Sequence, residues 1–173
     1  MPDDHTPLPP DTAGCGESVS RGDASAAAVS AGQKLARGVC RALAAEHDFA
    51  TAVEVTLATG QRVDVMAIGL KGEIWVVECK SSRADFTSDA KWHGYLDWAD
   101  RFFWAVGPDF PTELLPEGTG LILSDGFGAE IIRIGPETKL AGARRKAVTL
   151  RFARHTARRA QAARDPDAQF GWG

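Results

Sequence analysis

Three charged residues, Asp64, Glu78 and Lys80, interrupt two otherwise apolar segments near the middle of the chain. The intervening residues 69–72, Gly-Leu-Lys-Gly, are typical of a tight turn, so the two segments are predicted to be the strands of a hairpin. Symmetric pairing about this turn places Asp64 opposite Glu78, with Cβ atoms roughly 4.5 to 5.5 Å apart. Like charges in that position destabilise a sheet, and a positive group is therefore expected between them.

The face of the sheet on which these groups lie decides what they can bind. Side chains alternate along a strand, so Glu78 and Lys80 share one face while Cys79 points to the other. Two carboxylates beside one ammonium group suit a hard divalent cation such as Mg²⁺ or Mn²⁺, which takes oxygen ligands and retains several waters. The alternative is an ion-paired rim, in which Glu78 pairs with Lys80 or Arg62 in solvent. The joint pattern favours the metal site.

The residues around this cluster resemble known families. Asp64 followed by Glu78-Cys79-Lys80 resembles the PD-(D/E)xK superfamily of nucleases, and the similarity to the MmcB-type DNA-repair endonuclease family is closer. That closer resemblance covers about residues 31–160. It is carried by the following runs: Lys80-Ser-Ser-Arg-Ala-Asp-Phe86, Asp89-x-Lys91-Trp92-x-x-Tyr95 and Phe102-Phe-Trp-Ala-Val106.

Two positions depart from the superfamily pattern. Val63 stands where the superfamily name has a proline, and Cys79 stands where an aliphatic residue is usual. Neither change removes a predicted ligand. The resemblance implies an α/β fold with a restriction-endonuclease-like αβββαβ core, in which helices flank a mixed sheet.

The resemblance also implies roles for the charged residues. Asp64 and Glu78, with the backbone carbonyl of Cys79, would hold Mg²⁺ or Mn²⁺, and Lys80 would orient or deprotonate a water. The pKa of Lys80 is expected to fall if the site is poorly hydrated near a cation. Glu54 is a further candidate ligand, since the family pattern has an acid there, but a one-residue change of strand register would reverse its face.

Other residues are candidates for substrate contact. Related nucleases carry a polar residue and a tyrosine four apart on the equivalent helix, and here Lys91 and Tyr95 have that spacing within a helix predicted over residues 85–99. Ser81 is expected to bind phosphate or, more simply, to cap this helix. Arg62 is included as a phosphate contact at the edge of the site.

Two acids near these residues receive a structural interpretation. Asp85 and Asp89 are interpreted as acids of the first helical turns, where they complement the helix dipole, rather than as metal ligands.

The net charge of −3 hides an uneven distribution along the chain. Residues 1–137 carry 21 acids and 11 bases, whereas residues 138–164 carry nine Lys or Arg and no Asp or Glu. Such a basic block can bind a phosphate backbone through counterion release. The alternative is a helix that is solvated against the acidic body of the same protein. The residues predicted to contact the DNA backbone are Arg144, Arg145, Lys146 and Arg151.

The hydrophobic pattern predicts one domain over residues 31–164. Residues 1–30 are rich in Pro, Gly, Ser and Asp and are predicted to be a disordered tail, and residues 165–173 are predicted to be a flexible end. A helix over residues 31–46 and three successive antiparallel strands are expected to precede the helix at 85–99. Further strands are predicted over residues 101–106, 120–124 and 129–134. The basic block then forms a last helix, whose apolar side is predicted to contain Leu150, Ala153, Ala157 and Ala160.

Composition excludes several classes of protein. The hydrophobic content of 44% is enough for a single core in 173 residues. Three scattered cysteines, Cys15, Cys40 and Cys79, indicate neither a disulfide framework nor a structural zinc site. No signal segment or membrane-spanning run is evident, so a soluble cytoplasmic protein without membrane contact is expected.

The two carboxylates and the lysine, with the resemblance, predict a metal-dependent endonuclease that hydrolyses DNA phosphodiester bonds. The resemblance alone implies a role in repair, with other repair proteins as partners besides DNA. One alternative is a catalytically inactive module that binds DNA on the same fold. Another is a structural protein whose basic helix docks on an acidic partner. The sequence does not indicate the preferred DNA structure, the cleavage polarity or the oligomeric state.

Overall fold

A six-stranded mixed sheet organises residues 29–89 and 91–167, the part of the chain that this computed structural model describes. The elements in chain order are α1 (Ala31–His47), β1 (Ala50–Thr56), β2 (Arg62–Ile68), β3 (Ile74–Lys80), α2 (Arg83–Thr87), α3 (His93–Leu96), β4 (Arg101–Val106), a 3₁₀ turn (Thr112–Leu114), β5 (Gly120–Ser124), β6 (Ala129–Arg133) and α4 (Gly142–Arg164). The predicted tail falls outside the described residues except for 29–30, and the predicted flexible end does so except for 165–167.

The strands lie in the sheet in their chain order, β1 to β6. The first three are antiparallel, β3, β4 and β5 run parallel, and β6 is antiparallel to β5. The mixed α/β architecture and the three successive antiparallel strands are therefore confirmed.

The hairpin of β2 and β3 has the predicted register. Val65 pairs with Val77 and Ile68 pairs with Ile74, which centres the pairing on Lys71. At the turn, Gly72 has a φ of +76°, a conformation that glycine adopts without steric cost. This register brings Asp64 next to the end of β3.

Helices cover both faces of the sheet, as its two apolar faces require. The α1 side buries Leu35, Val39, Leu43, Val65, Val77 and Phe103. The opposite side, under α3 and α4, buries Met66, Val76, Tyr95, Trp104, Val148 and Phe152. The periodic stripe predicted for the first helix is thereby confirmed.

The single helix predicted over residues 85–99 is wrong. The chain forms two short helices instead, α2 and α3, with a break between them. Side chains at the break bind the backbone locally: Ser88 Oγ donates to the Asp85 carbonyl at 2.9 Å, and Asp89 Oδ1 accepts from the Lys91 N–H at 2.9 Å. Such bonds compete with the helical ladder and end it.

The apolar side predicted for the last helix is also wrong. Leu150 is 59% exposed, and Ala153, Ala157 and Ala160 are exposed as well. The helix instead buries Val148 and Phe152, which are four residues apart on one face. Alanine methyl groups remove little area from water, so the larger valine and phenylalanine determine which face packs.

A buried ion pair fixes the start of α4 to the sheet. Asp100 is 2% exposed, and its carboxylate accepts from the Ile74 N–H at 2.7 Å and from the Leu140 N–H at 2.9 Å. The guanidinium of Arg145 makes two further bonds to Asp100, both 2.6 Å long. Burial alone would raise the pKa of Asp100. The hydrogen bonds, above all the one from Arg145, outweigh burial and hold this pKa below its usual value.

Replacement of Arg145 by leucine is predicted to lower the free energy of unfolding by about 3 kcal/mol, because it leaves the Asp100 carboxylate buried without its cation. The matched control is Arg144→Leu, whose exposed pair with Asp97 at 3.7 Å should cost less than about 1 kcal/mol. Urea unfolding followed by circular dichroism measures both. Equal losses in the two variants would contradict the role assigned to Asp100.

Candidate active site

An irregularity in β1 and β2 creates the site. The pairing runs from Val53 with Val65 to Val55 with Val63, and Glu54 between them has a φ of +57°. This left-handed conformation is unfavourable for a residue with a side chain and is often found at functional sites. Val53 packs on the α1 side of the sheet, whereas Val55 packs on the opposite side.

The same change of face occurs in β2 at Asp64. In a regular strand Val63 and Val65 would lie on the same face. Val63 instead packs on the α4 side with Met66 while Val65 packs on the α1 side, because the distortion opposite Glu54 shifts the alternation of β2 by one residue.

Asp64 lies where β2 and β3 separate. The regular pairing ends at Val65 with Val77, and beyond it Asp64 Oδ2 accepts the Cys79 backbone N–H at 2.8 Å. Burial raises the pKa of Asp64, and the bond from Cys79 and the charge of Lys80 oppose this shift. The carboxylate thus replaces a backbone acceptor at the end of the ladder.

Lys80 forms the positive centre of the site. It is 5% exposed, and its Nζ lies 2.7 Å from Asp89 Oδ2, 3.5 Å from Glu78 Oε1 and 3.9 Å from Asp85 Oδ1. The ammonium also lies 5.9 Å from the centroid of the Trp104 ring. A buried cation of this kind is held by its surrounding acids.

The pKa of Lys80 is raised; the predicted fall in this pKa applies near a bound cation and stays a prediction. Burial alone would lower the pKa, but the hydrogen bond to Asp89 and the charges of Glu78, Asp89 and Asp85 outweigh burial. The amine is consequently a firmly protonated ammonium group.

Glu78 has less compensation for its charge. It is 6% exposed, and its Oε2 has no hydrogen-bond partner among the described residues. Burial, with the charge of Asp64 added, raises the pKa of Glu78 to about 8 despite the nearby Lys80. Glu78 therefore holds a proton at neutral pH, because Asp89 takes the closest contact to the Lys80 ammonium group.

The substrate residues predicted on one helix face are separated by the break between α2 and α3. Tyr95 is buried, packs on Phe102 and donates from its hydroxyl to the Arg62 carbonyl at 3.3 Å. The side chain of Lys91 is exposed. Only Lys91 of this pair is therefore open to a substrate.

The other predicted contacts near the site are placed as follows. Ser82 is the N-cap of α2, and Ser81 donates to Asp85 through both its N–H and its hydroxyl. Arg62 is exposed and lies 3.9 Å from Glu54, which also lies 3.8 Å from Arg159 of α4.

The predicted backbone-binding residues of α4 differ in their surroundings. Arg145 is engaged by Asp100, so its predicted contact with DNA has no support. Arg144 lies against Trp98 and Asp97, and Arg151 donates to the Thr56 carbonyl at 3.1 Å. Lys146 is exposed.

Sequence reasoning missed the role of Asp89. It was interpreted as a helix acid, but it lies after α2 and binds Lys80. The available signal was electrostatic, because a lysine at the end of an apolar strand requires an acid nearby. Asp85 is in the first turn of α2, as interpreted, and also lies near the ammonium group.

The set of side chains that could bind a metal ion is small. Within residues 29–89 and 91–167, no group of three or more His, Cys, Asp or Glu side chains is arranged to hold a metal ion.

None of the helices in residues 29–89 and 91–167 is long and apolar enough to cross a membrane.

The fold and the site define a mixed α/β protein in which a carboxylate pair and a buried lysine lie at the end of a central hairpin. The chain belongs to the MmcB-like family, described as DNA repair protein MmcB-like, whose model matches residues 20–167. The predicted resemblance to the MmcB-type family is thereby confirmed, and the family description indicates a role in DNA repair.

A solved structure is similar to this chain in sequence and fold. The SPO1766 protein of unknown function from Silicibacter pomeroyi is 57% identical to this chain, with a TM-score of 0.81. The match covers 84% of this chain and 99% of that one. No curated protein matches the sequence.

Replacement of Glu78 by glutamine should change how stability depends on pH. Between the ordinary value of 4.5 and about 8, the native protein holds a proton on Glu78 that the unfolded chain has lost. The free energy of unfolding of the wild type therefore falls as the pH rises through this window. Glutamine does not titrate, so this loss of stability is absent in the variant. Between pH 5 and pH 8 the free energy of unfolding of the variant should therefore rise by on the order of 2 kcal/mol relative to that of the wild type.

Denaturant unfolding in EDTA at several pH values measures this difference. Glu113→Gln, at an exposed position in the 3₁₀ turn, is the control and should show no such gain. Parallel stability profiles for the wild type and Glu78→Gln would show that Glu78 titrates normally.

Proposed function

We propose that this protein is a metal-dependent DNA endonuclease of the PD-(D/E)xK type, which hydrolyses phosphodiester bonds during DNA repair. The observation that carries the proposal is the junction of β2 and β3, where Asp64 bonds to Cys79 and Glu78 and Lys80 lie beside it. Membership of a DNA repair family supports DNA as the substrate.

The residues present fit a hard divalent cation. Glu78 Oε2 is buried without a donor among the described residues, and the pKa of Glu78 is raised by burial and by Asp64, so an added positive charge would stabilise the carboxylate. In a strand, the N–H and C=O of one residue point to the same side. Because the Cys79 N–H points to Asp64, its carbonyl points to that side as well.

Asp64, Glu78 and the Cys79 carbonyl would therefore hold Mg²⁺ or Mn²⁺. Glu54 is a further candidate, because it lines the same cavity as Asp64. Two carboxylates and a carbonyl suffice for Mg²⁺, which usually keeps several waters. When bound, the ion supplies Lewis-acid polarisation of a phosphate oxygen and lowers the pKa of water.

Lys80 is the positive group of the proposed site. It would orient the attacking water and a phosphate oxygen and offset negative charge, and a cation bound beside it would lower its pKa and let it deprotonate that water. Asp89 holds the ammonium in position through its 2.7 Å contact. Lys91 and Arg62, both exposed, remain the candidates for phosphate contact near the site.

A catalytically inactive DNA-binding module is the second candidate function. It is favoured by the small donor set of the described residues and by the strong pairing of Lys80 with Asp89. Such a module would bind DNA, alone or with other repair proteins, without cutting it.

Incubation of the purified protein with Mg²⁺ or Mn²⁺ and a panel of labelled DNA substrates is predicted to give cleavage that EDTA abolishes. Asp64→Asn and Lys80→Ala should each lower the rate by at least about 100-fold, because each removes a group that contacts the ion or the reacting phosphate. The matched controls Asp109→Asn and Lys71→Ala, both at exposed positions, should cleave at the wild-type rate.

Circular dichroism and thermal unfolding verify that the variants are folded. Retained cleavage in both site variants would reject the assignment. DNA binding without cleavage under all conditions would favour the inactive module.

A further inference from the structure

A cavity of about 400 Å³ opens beside Asp64. We call it the α1 pocket, because Ala36 and Cys40 of α1 line it, together with Val53 of β1. It lies at the irregular part of β1 described above. Its volume falls in the range of pockets that bind small ligands, and it would accommodate a nucleotide.

The α1 pocket combines apolar walls with a polar rim. Gln33, Arg37, Arg41 and Arg159 contribute the rim, together with Glu54, which pairs with Arg159 at 3.8 Å. Arg37 donates to the Gly126 carbonyl at 2.9 Å and stacks 5.3 Å from the Phe127 ring, so its position is fixed before any ligand binds. An apolar slot with hydrogen-bonding groups at its mouth suits a nucleobase attached to a charged backbone.

A second concavity, of about 510 Å³, runs along α4. We call it the α4 groove; Arg151, Arg154, Arg158 and Arg159 line it, opposite Thr56 of β1. Positions 151, 154 and 158 have helical spacing for one face and extend over about 10 Å. The lining residues carry positive or neutral groups, so the groove suits a phosphate backbone.

The two concavities meet at one residue. Arg159 lines both the α4 groove and the α1 pocket, and Asp64 lines the pocket. A phosphate chain that follows the arginines of α4 therefore arrives at the mouth of the pocket and at the carboxylates of the site. The arginines concerned lie mainly in the second half of α4, beyond Arg144, Arg145 and Lys146.

We propose that the strand bound at this site is unpaired DNA, whose backbone lies in the α4 groove and one of whose bases enters the α1 pocket. This inference deepens the proposed nuclease function and names its substrate class. A base in an intact duplex is stacked and paired, and it can enter such a pocket only after it is unstacked. Single-stranded or locally opened DNA avoids that cost.

Fluorescence anisotropy in EDTA, where metal-dependent cleavage does not occur, tests the proposal on the full chain. The probes are one labelled oligonucleotide as a single strand and the same oligonucleotide annealed to its complement. The wild type should bind the single strand about tenfold more tightly than the duplex. Equal affinities, or a preference for the duplex, would overturn the proposal.

The pocket is tested at Gly32, which lines it and where an added Cβ meets no heavy atom of the described residues within 4 Å. Gly32→Phe should obstruct the pocket and weaken single-strand binding about fivefold, with duplex binding unchanged. Gly32→Ala is the matched control and should bind like the wild type. Equal single-strand affinities of the Phe and Ala variants would exclude the pocket as a base site.

The groove is tested by charge reversal. Arg154→Glu should weaken single-strand binding and reduce its salt dependence, because it removes a phosphate contact. Lys71→Glu, in the distant turn between β2 and β3, should preserve both. An unchanged salt dependence in Arg154→Glu would remove the groove from the binding path.

These measurements do not depend on catalysis. If the single-strand preference holds while no DNA is cleaved with Mg²⁺ or Mn²⁺, only the hydrolase proposal fails. If cleavage occurs without that preference, only the inferred substrate class fails.

Discussion

The hydrogen bond from the Cys79 amide to Asp64 holds the site together. It lies where the backbone pairing of β2 and β3 stops, so a carboxylate takes the place of a main-chain acceptor. Glu54, on the neighbouring strand, adopts a left-handed conformation at the same level. The local irregularity of two strands thus directs an acid away from the regular faces of the sheet, toward the end of β3 and the cavity under α1.

The charges around this junction are unevenly compensated. Lys80 is surrounded by three acids, of which Asp89 makes the closest contact, and its pKa is raised. Glu78 remains buried with one oxygen unpartnered among the described residues. A structural ion pair would satisfy both partners, whereas here burial keeps Glu78 protonated at neutral pH, and a divalent cation would stabilise its charged form. The fold therefore maintains a local electrostatic cost at the point where a cofactor would bind, as functional sites often do.

The hairpin register, the six strands and α1 were predictable because apolar alternation, turn residues and helical spacing are local properties of the sequence. The break between α2 and α3 was not, since it depends on Asp89, whose side chain bonds to Lys91 and to distant Lys80. The packed face of α4 was missed because apolar residues lie on more than one side of this helix, and the sequence alone does not show which side packs on the sheet. Asp64 and Glu78 could be put forward as candidate ligands from their types and spacing, whereas the change of face at Val63 depends on the distortion at Glu54.

Diffraction from crystals grown with Mn²⁺ tests the central claim most directly, because the anomalous signal locates the ion without reference to activity. The account predicts one site with oxygen atoms of Asp64, Glu78 and the Cys79 carbonyl at about 2.1 Å from the ion. Absence of a peak between these groups at saturating Mn²⁺, or an ion bound elsewhere alone, would contradict it.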